Sequence, residues 1–518
     1  MRDTRIGVRL GAGVGLLAAA SIASSARWGP DWAAQEYRAW SAAHNGLTAW
    51  TNGWYSGQAL PGYSVLYPVV AGVLGVALTG LLAVVGASAG AYRLRPAGSA
   101  WRQIGYHVSV GVVLAGDLVI GQIPYLLGVA AGVWALVMTR AERRAPAAAL
   151  AALCCLFSPL AGAFVLLCVP AVAAAYGLRR AVPLVTAAAG VVVAAVLGGG
   201  GGTDSFTAFG FAWTLVFAIL GVVLTGAAHR PVRVLGLTYA ASAVVLFVVP
   251  NPVGGNLLRL AQLLALPLLW HVWPRTRRRL LRAPVLVALV VLVTAWTCWP
   301  ALIAAGRGAQ DPSQSPGYYT GLLSYLRSHD PRAGRLEVVF TREHWEAMYV
   351  AKAFPIARGW ERQTDLSVNA ALYRPLTASR YRQWLDDSAV SLVALPRVPL
   401  DIGGRAEATL LRKPPRYLIP AWHDANWRVW RVVAARPMVA GPATLSHLGA
   451  DSVELRFARA GVATVRVRAS GMWTVTSGEA CIVTTRGAWL RVQTAGPGRV
   501  VVTARVGLAV LDPGPRCT

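Results

Sequence analysis

The sequence predicts a polytopic α-helical membrane protein of about eleven spans with its N-terminus inside. It also predicts a C-terminal exterior region made of a small α/β domain and then a β-sandwich. Three observations lead to this fold class. Of 518 residues, 55% are apolar and only 14% charged, with a mean hydropathy of +0.49, whereas a soluble domain carries about 25% charged residues. The apolar residues come in uninterrupted runs of bilayer-spanning length. Short arginine clusters separate those runs, and beyond about residue 305 the composition turns polar with no further spanning run.

Taken in order, the runs lie at about 6–26, 64–91, 181–199, 208–227, 232–249, 254–273 and 284–304. Residues 104–139 hold two more, broken around Gly116 to Pro124, and 147–178 two more, broken at Ser158-Pro159. Arg2, Arg5 and Arg9 ahead of a stretch ending SIASSARWG have the look of a secretory signal. The run 6–26 is nevertheless long enough to span, and an uncleaved first helix is the preferred reading. The arginines test the count. With the N-terminus inside, Arg93, Arg95 and Arg102, then Arg140, Arg143 and Arg144, Arg179 and Arg180, Arg230 and Arg233, and the group from Arg275 to Arg282 all fall in cytoplasmic loops. An odd number of spans then puts residues 27–63 and everything after 305 outside, as in a multi-pass plasma-membrane protein with an extracytoplasmic C-terminal region.

The formal net charge of +27 invites a nucleic-acid function, but much of the excess is this topogenic arginine, and nucleic acid is set aside. The positive bias of the last third suits an anionic partner or a membrane surface.

The expected domains are 1–304, the membrane domain with its first external loop 27–63; 305–435, the α/β domain; and 436–518, the sandwich. In 316–432, helical stretches (YYTGLLSYLRSH, ASRYRQWLDDS) alternate with β-type runs (LEVVF, VSLVALP, WRVWRVV). From 436 the pattern has period two (SVELRFA, ATVRVRA, WTVTS, CIVTT, WLRVQT, RVVVTARV) between Gly/Pro turns. Cys154, Cys155, Cys168 and Cys298 lie in apolar runs as small core residues. Cys481 and Cys517, the two in the exterior region, are expected to form a disulfide. No CxxC or His/Cys cluster marks a structural zinc site.

The first external loop, WGPDWAAQEYRAWSAAHNGLTAWTNGWYSGQALPGYSVLY from Trp28 to Tyr67, holds the sharpest candidates. Asp31 and Glu36 are either solvated carboxylates, Asp31 capping a short helix, or one of them is a general base for an acceptor hydroxyl. Around them, Trp28, Trp32, Tyr37, Trp40, Trp50 and Trp54 suit an interfacial platform able to stack on sugar rings; His44, Trp54 and Tyr55 are assigned to a substrate cleft. Asp117, near the outer end of the third run, and Gln122 after it join that cleft if Asp117 faces the bundle interior rather than an external turn. Arg259, in NPVGGNLLRLAQ, is either a phosphate ligand, with Asn256 and backbone donors at Gly254-Gly255, or a snorkelling or Asp117-paired charge. His107, near the inner end of the third run, is a packing or interfacial residue. Residues 200–205 lack the Lys-Ser/Thr of a phosphate loop. The segment HWEAMYVAKAFPIARGWERQTDL, with His344, Glu346, Arg358, Trp360, Glu361, Arg362 and Asp365, suits a structural or substrate-framing role.

This layout resembles the GT-C membrane glycosyltransferases, among them protein O-mannosyltransferases, oligosaccharyltransferase catalytic subunits and actinobacterial arabinofuranosyltransferases. The resemblance rests on the N-in first helix, the long acidic first external loop, about eleven helices and an exterior C-terminal α/β-plus-β region. The matching stretches are GPDWAAQEYRAW, WYSGQALPGYSVLYP, GQIPYLLG at 121–128 and NPVGGNLLRL at 251–260. It implies an inverting hexosyl- or pentosyltransferase that moves sugar from a polyprenyl-phosphate donor to a glycan or lipid acceptor at the outer membrane face. Asp31 is then the base, Glu36 or Asp117 a second acid, and Arg259 a ligand of the donor phosphate. The paired adjacent acids of several such families are absent, which leaves open both the choice between Asp31 and Glu36 and any need for a divalent cation such as Mg or Mn. The Arg/Ala/Gly-rich composition suits a high-GC actinobacterium. Two rivals are a flippase of lipid-linked saccharides, favoured by broken helices and buried charges, and a non-catalytic envelope assembly protein. The odd span count and the large exterior region favour the enzyme.

Overall fold

A computed structural model describes residues 29–60, 62–198, 202–204, 206–225, 229–272, 283–329, 334–483, 488–505 and 516–517. The expected first span at 6–26 and the arginine group at 275–282 lie outside these residues. The chain divides into two units. The helical unit takes Met1–Trp32, Tyr63–Val196 and Gly200–Ala309; the mixed unit takes Ala33–Gly62, Leu197–Gly199 and Gln310–Thr518.

After α1 (Trp32–Asn45) and a two-stranded ribbon, β1 (Trp50–Thr51) with β2 (Gln58–Ala59), the helical unit runs through α2 (Tyr67–Leu74), α3 (Val76–Leu94), α4 (Ala100–Ile120), α5 (Ile123–Arg140), α6 (Arg144–Phe157) and α7 (Pro159–Tyr176). It continues with α8 (Leu178–Ala181), α9 (Ala187–Gly198), α10 (Ala208–Leu224), α11 (Arg230–Val248), α12 (Leu258–Val272) and α13 (Ala283–Gly308). Their starts follow local chemistry. Proline in the first turn opens α2, α5, α7 and α11, where its missing N–H is no loss. Ser158 and Thr207 cap α7 and α10 by accepting from Ala161 and Gly210 N–H. Two expected runs are corrected. The run 64–91 breaks at Gly75, whose φ of +82° lies in the left-handed region and ends α2. The run 181–199 is a short helix, a 3-10 turn (Val182–Thr186) and α9, consistent with Pro183 entering the chain there. The expected breaks in 104–139 and 147–178 occur at Gly121-Gln122 and at Ser158. Among the described residues, six helices are long and apolar enough to cross a membrane, while α6 and α10 are apolar but shorter.

The mixed unit contains α14 (Thr320–Ser328), β3 (Arg335–Val338), α15 (Glu346–Tyr349), α16 (Arg362–Val368), α17 (Ala378–Asp387), β4 (Val390–Pro396), α18 (Arg405–Leu411), β5 (Leu418–His423) and β6 (Trp427–Val432). One sheet orders these strands β3-β4-β6-β5, with β3 and β4 parallel and the rest antiparallel. Nine further strands follow: β7 (Val439–Ala440), β8 (Ala443–Leu448), β9 (Ser452–Phe457), β10 (Gly461–Arg468), β11 (Trp473–Ser477), β12 (Ala480–Val483), β13 (Trp489–Thr494), β14 (Gly498–Ala504) and β15 (Arg516–Cys517). They form sheets ordered β15-β12-β13-β10-β7 and β11-β14-β9-β8. Alternating burial along β9, β10 and β13 turns Val453, Leu455, Val465, Val467 and Val492 into one core. Cys481 and Cys517 are disulfide-bonded, tying β12 to its parallel neighbour β15.

Residues 33–62, expected to belong to the membrane domain, group with the mixed unit because their aromatic side chains are part of its interior. Ala49 and Trp50 belong to the sandwich core, Trp50 meeting Trp473 edge-on at 5.2 Å. Trp54 is 0% exposed, stacks on Tyr37 at 4.3 Å and donates its indole N–H to Ala347 O at 2.9 Å. The expected interfacial platform is corrected accordingly: Trp32, Tyr37, Trp50 and Trp54 are buried.

Truncating such a side chain removes its burial and leaves a cavity, so Trp54→Ala is expected to destabilise the mixed unit by about 3–5 kcal/mol. Thermal unfolding of the full chain in detergent checks this against Leu47→Ala, an exposed position expected to stay within about 0.5 kcal/mol.

Candidate functional site

At its entry into α1 the chain lies against the turn between α4 and α5. Asp31 N–H donates to Ile120 O at 3.2 Å, and the Trp32 indole N–H lies 3.2 Å from both Leu118 O and Val119 O. Two glycines permit this approach. A Cβ on Gly29 would stand 2.4 Å from Ile120 backbone, and one on Gly121, whose φ is +92°, would stand 2.6 Å from Trp32 N. Backbone contact therefore holds the half-buried Asp31 at this helix end.

Around the same turn other polar groups collect. Asp117 lies in the last turn of α4, half-buried, and its carbonyl accepts from Gln122 N–H at 2.9 Å. Gln122 and Tyr125 are buried, and neither Gln122 Oε1 nor the Tyr125 hydroxyl has a hydrogen-bond partner. Arg259, second residue of α12, interacts electrostatically with Asp117 and Tyr125. Buried polar atoms are normally satisfied, so two unmade bonds beside a carboxylate and a guanidinium mark a place suited to a polar ligand. Tyr125 was not singled out from sequence; the signal was its position in GQIPYLLG, one turn beyond Gln122.

Other expected site residues sit elsewhere. Asn256 donates its amide to Asp204 Oδ2 at 2.9 Å, while Val253 and Gly254 N–H donate to Asn251 Oδ1. The expected phosphate cradle of Asn256 and backbone donors is corrected: these groups brace the loop before α12. His44 is exposed at the end of α1, bonded to Trp40 O at 2.9 Å and stacked on that ring. Glu36, half-buried, belongs to the mixed unit with His44, whereas Asp31 belongs to the helical one. Trp54 and Tyr55 do not line a cleft, because both are sealed. The Tyr55 hydroxyl accepts from Glu361 N–H at 2.9 Å, and burial, with the Asp365 and Glu361 charges adding, holds it well above the usual tyrosine range. Among the described residues no three His, Cys, Asp or Glu side chains gather in a set that could hold a metal ion.

The polar segment 344–365 is turned inward. Arg358 forms a two-pronged pair with Asp365 at 3.1 and 2.5 Å, with Glu337 and Glu407 each 3.8 Å away. His344, fully buried at φ +59°, stacks on Trp360 at 3.3 Å between Glu346 at 3.5 Å and Asp401 at 3.7 Å. Arg362 clamps Asp401 at 2.9 and 2.8 Å. Burial alone lowers the His344 pKa, but Asp401 and Glu346 outweigh it and the net direction is up.

No protein-family model matches the chain, and no curated protein does. Two solved structures are similar in chain course. Mycobacterial arabinofuranosyltransferase AftD is 17% identical, with 83% of this chain covered, 42% of that one and a TM-score of 0.44. ArnT from Cupriavidus metallidurans is 14% identical, with 82% and 98% covered and a TM-score of 0.45. The chain thus spans less than half the length of the mycobacterial protein.

A histidine whose folded pKa lies above its unfolded value of about 6.5 adds stability that is complete below that value and is lost as pH rises through the folded pKa. Glu343, raised from 4.5 to about 7 by burial against the opposing charges of His344 and Arg342, loses stability in the same direction over 4.5–7. Thermal unfolding against pH is therefore expected to show the mixed unit weakening above about pH 6.5. His344→Gln should flatten that upper limb and, because His344 also holds the Asp401 carboxyl low, make the acid-side slope shallower; an unchanged upper limb would show that His344 carries no charge in the fold.

Proposed function

We propose that this chain is a membrane glycosyltransferase of the GT-C kind, transferring a sugar from a polyprenyl-phosphate donor to a cell-envelope glycan or lipid at the outer membrane face. One observation carries the reading. Asp31 is pinned by its backbone to the α4–α5 turn that also presents Asp117 and Gln122, and Arg259 interacts with Asp117 there. A base and a phosphate ligand are what such a transfer needs at one helix end.

In the proposed reaction the acceptor hydroxyl oxygen attacks the anomeric carbon while the bond from that carbon to the carrier phosphate oxygen breaks. The acceptor proton passes to the Asp31 carboxylate, and the bond's electron pair leaves with the phosphate. Asp31 raises the nucleophilicity of the acceptor; Arg259 stabilises the charge developing on the leaving phosphate. Asp117 orients the guanidinium, and the unsatisfied Gln122 and Tyr125 groups bond the sugar or phosphate. Glu36 is the alternative base. Every step uses this chain's own side chains and none is routed through a cation.

An apolar groove supports a lipid-borne donor. About 110 Å³ in volume, it is lined by Phe217, Leu220, Tyr239, Leu264 and Val293 and by Leu260 and Ala261, which follow Arg259 directly. An isoprenoid chain there would leave its phosphate toward Arg259.

Transfer of labelled sugar from extracted polyprenyl-phosphate donors in membranes tests the reading. Asp31→Asn is expected to lower transfer about 10²–10⁴-fold with donor binding unchanged. Arg259→Met is expected to weaken donor binding about tenfold or more, the scale of one hydrogen bond to a charged group. A loss in Glu36→Gln alone would move the base to Glu36. Full transfer in both carboxylate variants, with lipid flipping altered instead, would replace the enzyme by a transporter.

A further inference from the structure

The mixed unit holds a cleft of about 680 Å³, lined by none of the residues assigned to the transfer. Three stretches distant in sequence wall it. Tyr37 and Trp40 come from α1, residues 351–355 from the loop after α15, and residues 445–450 from β8 and the turn before β9. The ribbon ties these walls together. Asn52, 1% exposed, donates its backbone N–H to Ala450 O at 2.7 Å and its side-chain amide to Gly449 O at 2.9 Å. Gly53 O accepts from Ile356 N–H at 3.0 Å. Hydrogen bonds thus set the shape of the cleft in the unliganded chain, and its volume falls in the range of roughly 300–1,000 Å³ usual for small-molecule sites.

The lining decides what fits. Tyr37 is sealed by its stack on Trp54 and its 2.8 Å bond to Thr51 Oγ1. Trp40, its ring 5.8 Å from that of Tyr37, is half-buried and carries the aromatic surface that a ligand can reach. Lys352 Nζ stands 5.7 Å from the centre of the Trp40 ring, on an exposed side chain. Asn45, Ser446 and His447 add exposed side chains that both donate and accept hydrogen bonds. Among the described residues no Asp, Glu or Arg lines the cleft, and Lys352 is its one charged amine. A polyanion would call for several cations. A peptide strand would need a regular sheet edge; β8 is the edge of its sheet, but its pairing with β9 shifts register between Leu445 and His447. A saccharide needs neither. Its C–H faces lie flat on an indole, and its hydroxyls donate and accept without burying charge.

We propose that this cleft binds an oligosaccharide, with one sugar ring stacked on Trp40 and hydroxyls bonded by Asn45, Ser446, His447 and Lys352. Trp40 supplies most of the binding energy, since it is the large ring left accessible, and the neutral polar side chains on the other walls set orientation. Asn52 acts as a positioning residue, because it holds the turn at 449–450 to the ribbon. The site lies wholly within the mixed unit, and binding there needs none of the chemistry assigned to Asp31 and Arg259.

Calorimetric titration of the full chain in detergent with manno-, galacto- and arabino-pentasaccharides tests it. At least one of the three is expected to bind, and Trp40→Ala to weaken that binding about tenfold, the scale of one lost aromatic contact. Trp40→Phe, which keeps a ring, is expected to lose less. Should Trp40→Ala fail to fold, Ser446→Trp, at an exposed position of the lining, is expected to block binding by filling the cleft. Trp422→Ala removes a half-buried ring outside the lining and should leave binding unaltered. Asp31→Asn should bind as the wild-type chain does, which keeps the two sites apart. A chain that binds saccharide but transfers none overturns the transfer and leaves this site standing. Binding lost in Asp31→Asn places the saccharide at the transfer site and overturns the proposal. So does the absence of binding by all three pentasaccharides, or binding that is unchanged in the folded Trp40 and Ser446 variants.

Discussion

The mixed unit depends on the burial of one short stretch from the other end of the sequence. Residues 33–62 place Trp50 in the sandwich core against Trp473 and Trp54 under the Ala347 carbonyl. Arg38 and Gln58 both reach the Glu361 carboxylate, and Tyr55 closes a pair of hydrogen bonds with the Glu361 backbone. Each large aromatic carries 150–250 Å² of surface out of water, so the stretch is held by the same physics as the strands it packs against. The backbone at Tyr55 and Ser56 accepts positive φ, a strained choice for non-glycine residues that packed surroundings can hold.

Immediately before that stretch a different constraint acts. Asp31 is fixed through its own N–H and through the indole of Trp32, both bonded to carbonyls at the end of α4. Fixing the main chain at Asp31 removes the backbone part of the motion of its carboxylate, which helps a base or ligand keep its position from one turnover to the next. The glycines at 29 and 121 are required for that closeness, because any side chain at either would meet backbone atoms.

Electrostatics separates the charged residues into two kinds. Arg358 with Asp365, Arg362 with Asp401, and His344 between Glu346 and Asp401 are compensated networks in which each charge has a partner. Such networks fix the fold, yet they leave buried atoms without a hydrogen-bond partner, both Glu337 oxygens and both His344 ring nitrogens among them. In the helical unit Gln122 Oε1 and the Tyr125 hydroxyl are in the same position, and there the proposed transfer supplies a ligand for them to bond.

Composition and periodicity alone determined the helical first part and the change near residue 305. They also determined the helix breaks at Gly121-Gln122 and Ser158, and the strands SVELRF, WTVTS and WLRVQT, because these follow from local rules of hydrophobic period, capping and proline geometry. The candidate acids and Arg259 were legible for the same reason: charged residues stand out against apolar runs. What only the tertiary structure decided was which polar residues are free. Asn256 is bonded to Asp204, and Trp54 and Tyr55 are enclosed, and no local pattern marks either fact. Short strands such as β7 and β15, two residues each, carry no period to read. Hydrogen-bond partners in this chain lie up to 413 positions apart. A linear pattern records a residue's own chemistry, and folding alone determines which distant group uses it up.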